Sequence, residues 1–340
     1  MPLTGISVAV RRTNLSGWMK PSKRHVSVLF QPASNKVHYQ PKGVVGVIVP
    51  WNYPLYLAVG PLVASLAAGN RTMIKMSEYT PHTSALFKEL IEASFPEDLV
   101  SVITGEADVA ADFSARPFDH LLFTGSTSVG KLVMKAAAEN LTPVTLELGG
   151  KSPAVVSPDV PMEDAAQRIA FGKAFNAGQT CVEINPAREN LKDGTRKIPL
   201  TLVLKTTPDM KVMQDEIFGP ILPVVSYGGL DEAIHYINDR PRPLALYFFG
   251  YDKTQQQHVV DNTHSGGMCI NDSLMHVAQD DLPFGGIGDS GMGHYHGREG
   301  FLTFSHHRAI FTKQKFNSGK FVYAPHGTAA HKMVYKFFIR

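Results

Sequence analysis

The sequence predicts an α/β fold built on a parallel sheet with helices on both faces. Three observations predict it. Between residues 43 and 150, short apolar runs rich in Val, Ile and Leu alternate with segments of helical length. Gly, Pro, Thr and Asn stand at the boundaries between them. No internal repeat or low-complexity tract interrupts the alternation. In such sheets ligands bind just past the carboxyl ends of the strands.

The elements follow in order. Residues 1 to 25 are basic and weakly patterned. "VSVLFQPASNKVHYQP" reads as two strands around the turn Pro32-Ala33-Ser34-Asn35, a hairpin. "GVVGVIVP" (43–50) is a buried strand, and "LYLAVGPLVASLAAG" (55–69) a helix stopped by Gly69. "RTMIKM" (71–76) is a strand. "TPHTSALFKELIEASF" (80–95) is a helix with Thr80 at its cap and Pro81 at its first position. Strand "LVSVIT", helix "DVAADFSA", strand "HLLFTG", helix "TSVGKLVMKAAAEN" and strand "PVTLELGG" complete this half. The second half is less regular. It reads as a helix at "PMEDAAQRIAFGKAFNAG", strands at "IPLTLVL" and "PILPVVSY", a helix at "LDEAIHYINDR", and strands at "ALYFFGYD" and "GGMCIND". The terminal "MVYKFFIR" is a packed strand or helix.

The 340 residues are 44% hydrophobic and 19% charged, ample for two domains with separate cores. The net charge is +3, with Lys and Arg scattered, which speaks against nucleic acid as a partner. No apolar run reaches the roughly 20 residues of a membrane span. Two cysteines, Cys181 and Cys269, make no disulfide framework, and the start has no signal-like pattern. A reducing, cytoplasmic location is expected.

Several stretches carry chemistry-bearing residues, each with a plainer alternative. "FTGSTSVG" (123–130) ends a strand and opens a helix, so its N–H groups and dipole suit a phosphate. It is not GxGxxG, since Thr127 takes the place of the second glycine, and an unliganded turn has the same signature. "IKMSE" (74–78) sets Lys75 and Glu78 at a strand end, as a ribose-binding pair or an exposed ion pair. "PWNYP" (50–54) offers the Asn52 amide to an oxyanion, or is a plain turn. "LELGGK" (146–151) buries Glu147 in an apolar strand, where its pKa rises toward general-base use; otherwise it is an edge residue facing water. "DEIFGP" (215–220) sets Glu216 and Phe218 before a Gly-Pro turn, as a ribose contact and a ring, or as an ordinary loop. "FNAGQTC" places Cys181 on a tight loop, as a nucleophile or a small buried hydrophobe. Cys269 fits the latter. The His-containing "HYHGREG" and "SHH" supply no complete metal-ligand set and read as structural.

Taken together and in this order, these stretches resemble the aldehyde dehydrogenase superfamily, most closely its coniferyl aldehyde dehydrogenase-like branch. The match runs from "VLFQP" to "GFLTFSHHRAI". The resemblance implies NAD-dependent oxidation, with NADP as a second possibility, of an aromatic or long-chain aldehyde to the acid. Cys181 would attack the aldehyde to give a thiohemiacetal and then a thioester. Asn52 and the Cys181 N–H would hold the oxyanion, and Glu147 would activate the hydrolytic water. Trp51, Lys75, Glu78, Gly125, Ser126, Gly130, Leu148, Glu216 and Phe218 would contact the cofactor, with no metal. The implied architecture is a bridging hairpin within 1–42, a Rossmann-like NAD domain at 43–148, a smaller α/β catalytic domain at 149–305 and a tail at 306–340. A homodimer or higher homo-oligomer is implied as well.

The chain departs from the family pattern in three places. Less helical sequence precedes residue 26. Met76 follows the lysine where the family usually has proline. After Cys181, "VEINPARENLKDGTRK" reaches the next strand directly, where family members carry a strand, helices and several dozen more residues. This polar stretch has no apolar period to replace them, so neighbouring apolar faces should lose cover. An alternative function follows, a catalytically impaired or non-catalytic chain with a binding or assembly role. A thioester- or acyl-phosphate-using reductase is a third reading. Glu147 argues against it, since that chemistry needs no hydrolytic base.

Overall fold

The computed structural model describes residues 13–179, 199–315 and 323–338. A short helix over 13–18, α1, precedes β1 (Ser22–Arg24). The predicted strand over 26–31 does not form. Val28–Phe30 is instead a single 3₁₀ turn, closed by bonds such as Phe30 N to Ser27 O, and Pro32 brings no amide to a ladder. The strand partner of β2 (Ser34–Pro41) is β1 on one side. Its longer partnership, eight residue pairs, is with β14 (Ser305–Thr312). The expected hairpin is therefore the front of a three-stranded antiparallel sheet that joins the two ends of the chain.

The five predicted strands of the first half all form: β3 (Val44–Ile48), β4 (Arg71–Lys75), β5 (Val100–Ile103), β6 (His120–Gly125) and β7 (Val144–Leu148). They pair in the order β7-β6-β3-β4-β5, all parallel. The helices between them are α2 (Pro54–Ala67), α3 (Pro81–Ser94), α4 (Ala107–Ser114) and α5 (Thr127–Ala138). The order reverses between β3 and β6, which opens a crevice at their carboxyl ends. Alternation along β3 divides the core. Val45, Val47 and Val49 pack with α2 and α3, while Ile48 joins Leu121, Phe123 and Val133 of the other face. At Gly46 a Cβ would lie 2.8 Å from the Phe118 ring, so glycine is what lets that ring reach the strand. Near the base of the sheet, the buried His120 ring sits between Lys42 Nζ and Thr145 Oγ1, each at 2.9 Å.

A sixth strand, β13 (Gly291–Met292), is added antiparallel to β7 from far along the chain. β8 (Ala154–Val156), β11 (Ala245–Phe249) and β12 (Gly267–Ile270) make a second parallel sheet, with β11 central and wholly buried. Leu246 and Phe248 face α8 (Leu230–Asn238) and Val259 of α9 (Lys253–Asn262). Tyr247 and Phe249 face the side of α6 (Met162–Ala174). Among the described residues β9 (Thr201–Val203) and β10 (Ile221–Pro223) pair only with each other. Leu202 and Leu204 there are 58% and 64% exposed. α7 (Lys211–Gln214), α10 (Gly297–Thr303) and α11 (Ala329–Phe338) complete the chain. The terminal "MVYKFFIR" thus lies mostly on a helix.

His276 is buried with neither ring nitrogen hydrogen-bonded, between the rings of Tyr247 and Phe284. Burial lowers its pKa to about 4. An unfolded histidine takes a proton near pH 6.5, so the folded state loses stability as pH falls from about 6.5 toward 4. Burial, with the Lys42 charge second, lowers His120 to about 3, which adds a loss of the same sign. His276→Phe keeps the ring contacts and removes the proton site. It should recover about 1–2 kcal/mol of stability at pH 5 relative to pH 8, read from denaturant unfolding at the two pH values. An unchanged difference between them would exclude His276 as a source of acid lability.

Candidate active site

A cleft of about 920 Å³ opens at the carboxyl ends of the large sheet, where the strand order reverses. It runs from Glu78 and Ser77 at one end, past Gly125 and Ser126, to Glu147 and Glu216. Part of its lining is apolar, with Tyr53, Leu57, Phe171, Phe175 and Met275. The cleft thus gathers strand ends of the first half and loops of the second.

Glu147 sits in the middle of β7, between β6 and β13, and is 4% exposed. The edge reading fails because β13 covers that edge. Among the described residues neither carboxylate oxygen has a hydrogen-bond partner. Burial alone pushes its pKa well above the usual carboxylate value.

The Lys75–Glu78 pair is not an exposed ion pair. The Lys75 side chain is buried at the end of β4, donates to Met76 O at 2.8 Å and lies 3.6 Å from Glu78 Oε2. Met76 replaces the usual proline without loss of fit: it is 1% exposed and belongs to the α2–α3 core. Asn52 is also more than a turn residue. Its Nδ2 donates to Gln179 O at 3.0 Å, and Asn176 Nδ2 donates back to Asn52 O at 3.0 Å. The loop it holds is tight: Asn176, Ala177 and Gly178 all have positive φ, the first two in the left-handed region. A Cβ on Gly178 would lie 2.3 Å from the Gly219 backbone. Cys181, two residues beyond Gln179, lies outside the described residues.

The remaining sequence candidates divide. Ser126 caps α5 by accepting from Val129 N, and the Thr127 hydroxyl donates to Asp289 O at 3.0 Å. Gly125 lines the cleft, but Gly130 does not. A Cβ on Gly130 would meet Leu148 Cδ2 at 2.6 Å, so this glycine brings α5 onto β7. Glu216 packs its carboxylate on the Gly149 Cα, at the point where a side chain would begin. The Trp51 and Phe218 rings stand 5.6 Å apart at the cleft wall. Cys269 is half-buried on β12, and burial raises its pKa, which suits an inert thiol. Among the described residues no group of three His, Cys, Asp or Glu could hold a metal.

Sequence reasoning missed three features. The aromatic part of the cleft lining comes from three separate segments, and no local pattern joins them. Lys173 on α6 is buried, and burial, aided by the Lys151 charge, lowers its pKa to about 7. His294, read as structural, has its Nδ1 buried beside Glu147. Proximity of "GHYHG" to β7 follows from β13 pairing, which only the tertiary fold supplies.

This fold and cleft define an open α/β enzyme scaffold with one large cleft whose lining is partly aromatic. The chain belongs to the aldehyde dehydrogenase family, whose model matches residues 8–187 and 186–310. It is 54% identical to a probable coniferyl aldehyde dehydrogenase of Pseudomonas aeruginosa, over 99% of this chain and 83% of that protein. It is 42% identical to a coniferyl aldehyde dehydrogenase of a Pseudomonas strain, over 95% of this chain and 80% of the other. Among solved structures, Staphylococcus aureus AldH in a substrate-bound state superposes with a TM-score of 0.91 at 36% identity, covering 99% and 86% of the two chains. Mycobacterium tuberculosis aldehyde dehydrogenase complexed with NAD+ gives 0.80 at 27%, covering 93% and 77%.

A buried carboxylate with a raised pKa has a readable consequence. The folded state favours the protonated form, so its stability contribution is full below the unfolded pKa near 4.5 and is lost as pH rises toward the folded pKa. Glu147→Gln should therefore stabilise the chain at pH 8, by about 1 kcal/mol or more, and change little at pH 4.5. Thermal melts at the two pH values decide it. A destabilised variant at pH 8 would show that the carboxylate is held by partners after all.

Proposed function

We propose that the chain oxidises an aromatic or long-chain aldehyde to its carboxylic acid with NAD, and that NADP is a poorer alternative. The observation that carries this is the partnerless buried Glu147 in the same cleft as Asn52, which holds the loop leading to Cys181. Coniferyl aldehyde dehydrogenases among the relatives and the aromatic part of the cleft lining support an aromatic substrate.

The residues present fit a dinucleotide. Glu78, steadied by Lys75, would hold the adenosine ribose hydroxyls, and the capped start of α5, with Gly125 and Ser126, the phosphates. Glu216 would hold the nicotinamide ribose, with Trp51, Leu148 and Phe218 beside the ring. Bound there, NAD supplies the hydride acceptor. Gly130 acts through the α5–β7 packing.

Cys181 is the nucleophile. Its thiolate adds to the aldehyde carbon, and the oxyanion of the thiohemiacetal is met by the Asn52 amide and the Cys181 N–H. Loss of hydride leaves a thioester. Glu147 then takes a proton from water as it attacks the thioester carbon, which releases the acid and the Cys181 thiolate. A carboxylate with a pKa raised by burial is a stronger base for that step than an exposed one. Its place in the cleft also weighs against a reductase that never hydrolyses its thioester.

We further propose a homodimer or higher assembly through the sheet of β1, β2 and β14, whose outer residues are largely exposed. A cytoplasmic location agrees with two cysteines and no described helix long and apolar enough to cross a membrane. The stretch after Cys181 is an internal shortening of the catalytic domain. In support, the family match is in two pieces meeting at 186–187, and the alignment to the Pseudomonas aeruginosa protein spans 396 positions.

Turnover of coniferyl aldehyde, followed as NADH absorbance, tests the reading. Cys181→Ala should abolish it and Cys269→Ala should leave it within about twofold; comparable activity in the Cys181 variant refutes the assignment. Glu147→Gln should give a normal NADH burst followed by steady turnover slowed about 10²–10⁴-fold. An unchanged steady rate removes Glu147 from the hydrolytic step.

NAD should bind more tightly than NADP, because a 2′-phosphate would meet the Glu78 carboxylate. Glu78→Gln should narrow the difference. Dissociation constants from quenching of protein fluorescence measure both, and a tighter constant for NADP with the native chain would contradict the assignment of Glu78.

A further inference from the structure

A general base must give up its proton before the next turnover, and Glu147 is buried with no partner to take it. One other buried, partnerless polar atom closes on the same spot, Nδ1 of His294. The spot is the Cα of Gly285. An ideal Cβ there would lie 2.7 Å from His294 Nδ1 and 3.1 Å from Glu147 Oε1. The third atom around it is Gly293 O, at 1.9 Å, so the backbone of 293–294 is folded directly onto Gly285. Glycine at 285 is what lets the ring and the carboxylate approach the same point. His294 as a whole is only half-buried, so it reaches from this enclosed point toward solvent. The buried Lys75 cannot serve instead, since it is engaged by Met76 O and Glu78.

We propose that His294 is the proton relay of Glu147, carrying the proton of the hydrolytic water out of the cleft. The proposal rests on the hydrolytic role of Glu147 given above. In the step, the water oxygen bonds to the thioester carbon, the C–S bond breaks, and the water proton passes to Glu147. From the carboxyl it passes through one water to His294 Nδ1, while the opposite ring nitrogen releases a proton to solvent. No electrons change hands in this step.

The test compares His294→Ala and His294→Gln with the native chain in rapid mixing with coniferyl aldehyde and NAD. Both variants should keep the NADH burst, which counts folded active sites, and lose at least tenfold in the steady rate. Added imidazole should restore part of the rate to His294→Ala but not to Glu147→Gln. Glu147→Gln combined with His294→Ala should be no slower than Glu147→Gln alone, because the two act in series. A steady rate within twofold of native, or burst and steady rate falling together, overturns the relay. So does additive slowing in the double variant. If Glu147→Gln itself turns over at the native rate, the base reading has failed, and the relay with it. A readout that does not need turnover is the infrared carboxyl band isolated by subtracting the Glu147→Gln spectrum. It should move in His294→Ala, and an unmoved band counts against the contact.

Discussion

The burial of Glu147 is the constraint on which the rest of the site depends. A carboxylate held in β7 between two flanking strands is largely closed from water, and this burial disfavours its charged form. One of those strands, β13, arrives with a segment poor in side chains. Cβ atoms on Gly286, Gly291 and Gly293 would meet Ser290 O, Leu146 O and Thr145 Oγ1 at 1.8, 2.1 and 2.9 Å. Side chains at these positions would push the segment off β7 and let water reach the carboxylate. The glycines therefore set the basicity of Glu147 as much as its own position does.

The parallel sheet supplies the second condition. Its strand order puts the ends of β3 and β6 on either side of the crevice, so Asn52 and Ser126 come from neighbouring strands yet face one cleft. Asn52 then reaches across to the loop of the second half through two reciprocal hydrogen bonds with Gln179 and Asn176. These bonds join the cleft to the loop over 176–179. A displacement of about 1 Å at such a junction is enough to cost two orders of magnitude in rate.

The second half is built more thinly. Its three-stranded sheet is fully cored, with β11 covered on both faces. β9 and β10 stand apart as a two-stranded ribbon with exposed leucines. Isolated two-stranded ribbons are marginal in water, and apolar side chains left bare invite association.

Much of this was legible in the sequence. The five strands and four helices from 43 to 150 were readable because each is fixed by local burial pattern and by residues such as Pro81 and Gly69 at its ends. The carboxyl-end rule then located Asn52, Lys75, Ser126 and Glu147 near one cleft before any coordinate. The hairpin over 26–41 is not legible because alternation predicts a strand without naming its partner, and the longer of the two partners of β2 lies some 270 residues away. Burial of the Lys75–Glu78 pair, cover of Glu147 by β13, packing of Gly130 on Leu148 and the approach of His294 and Glu147 to Gly285 were decided by the tertiary structure alone. Each depends on a contact between segments far apart in the chain, and short-range periodicity carries no information about which distant surface will close on a residue.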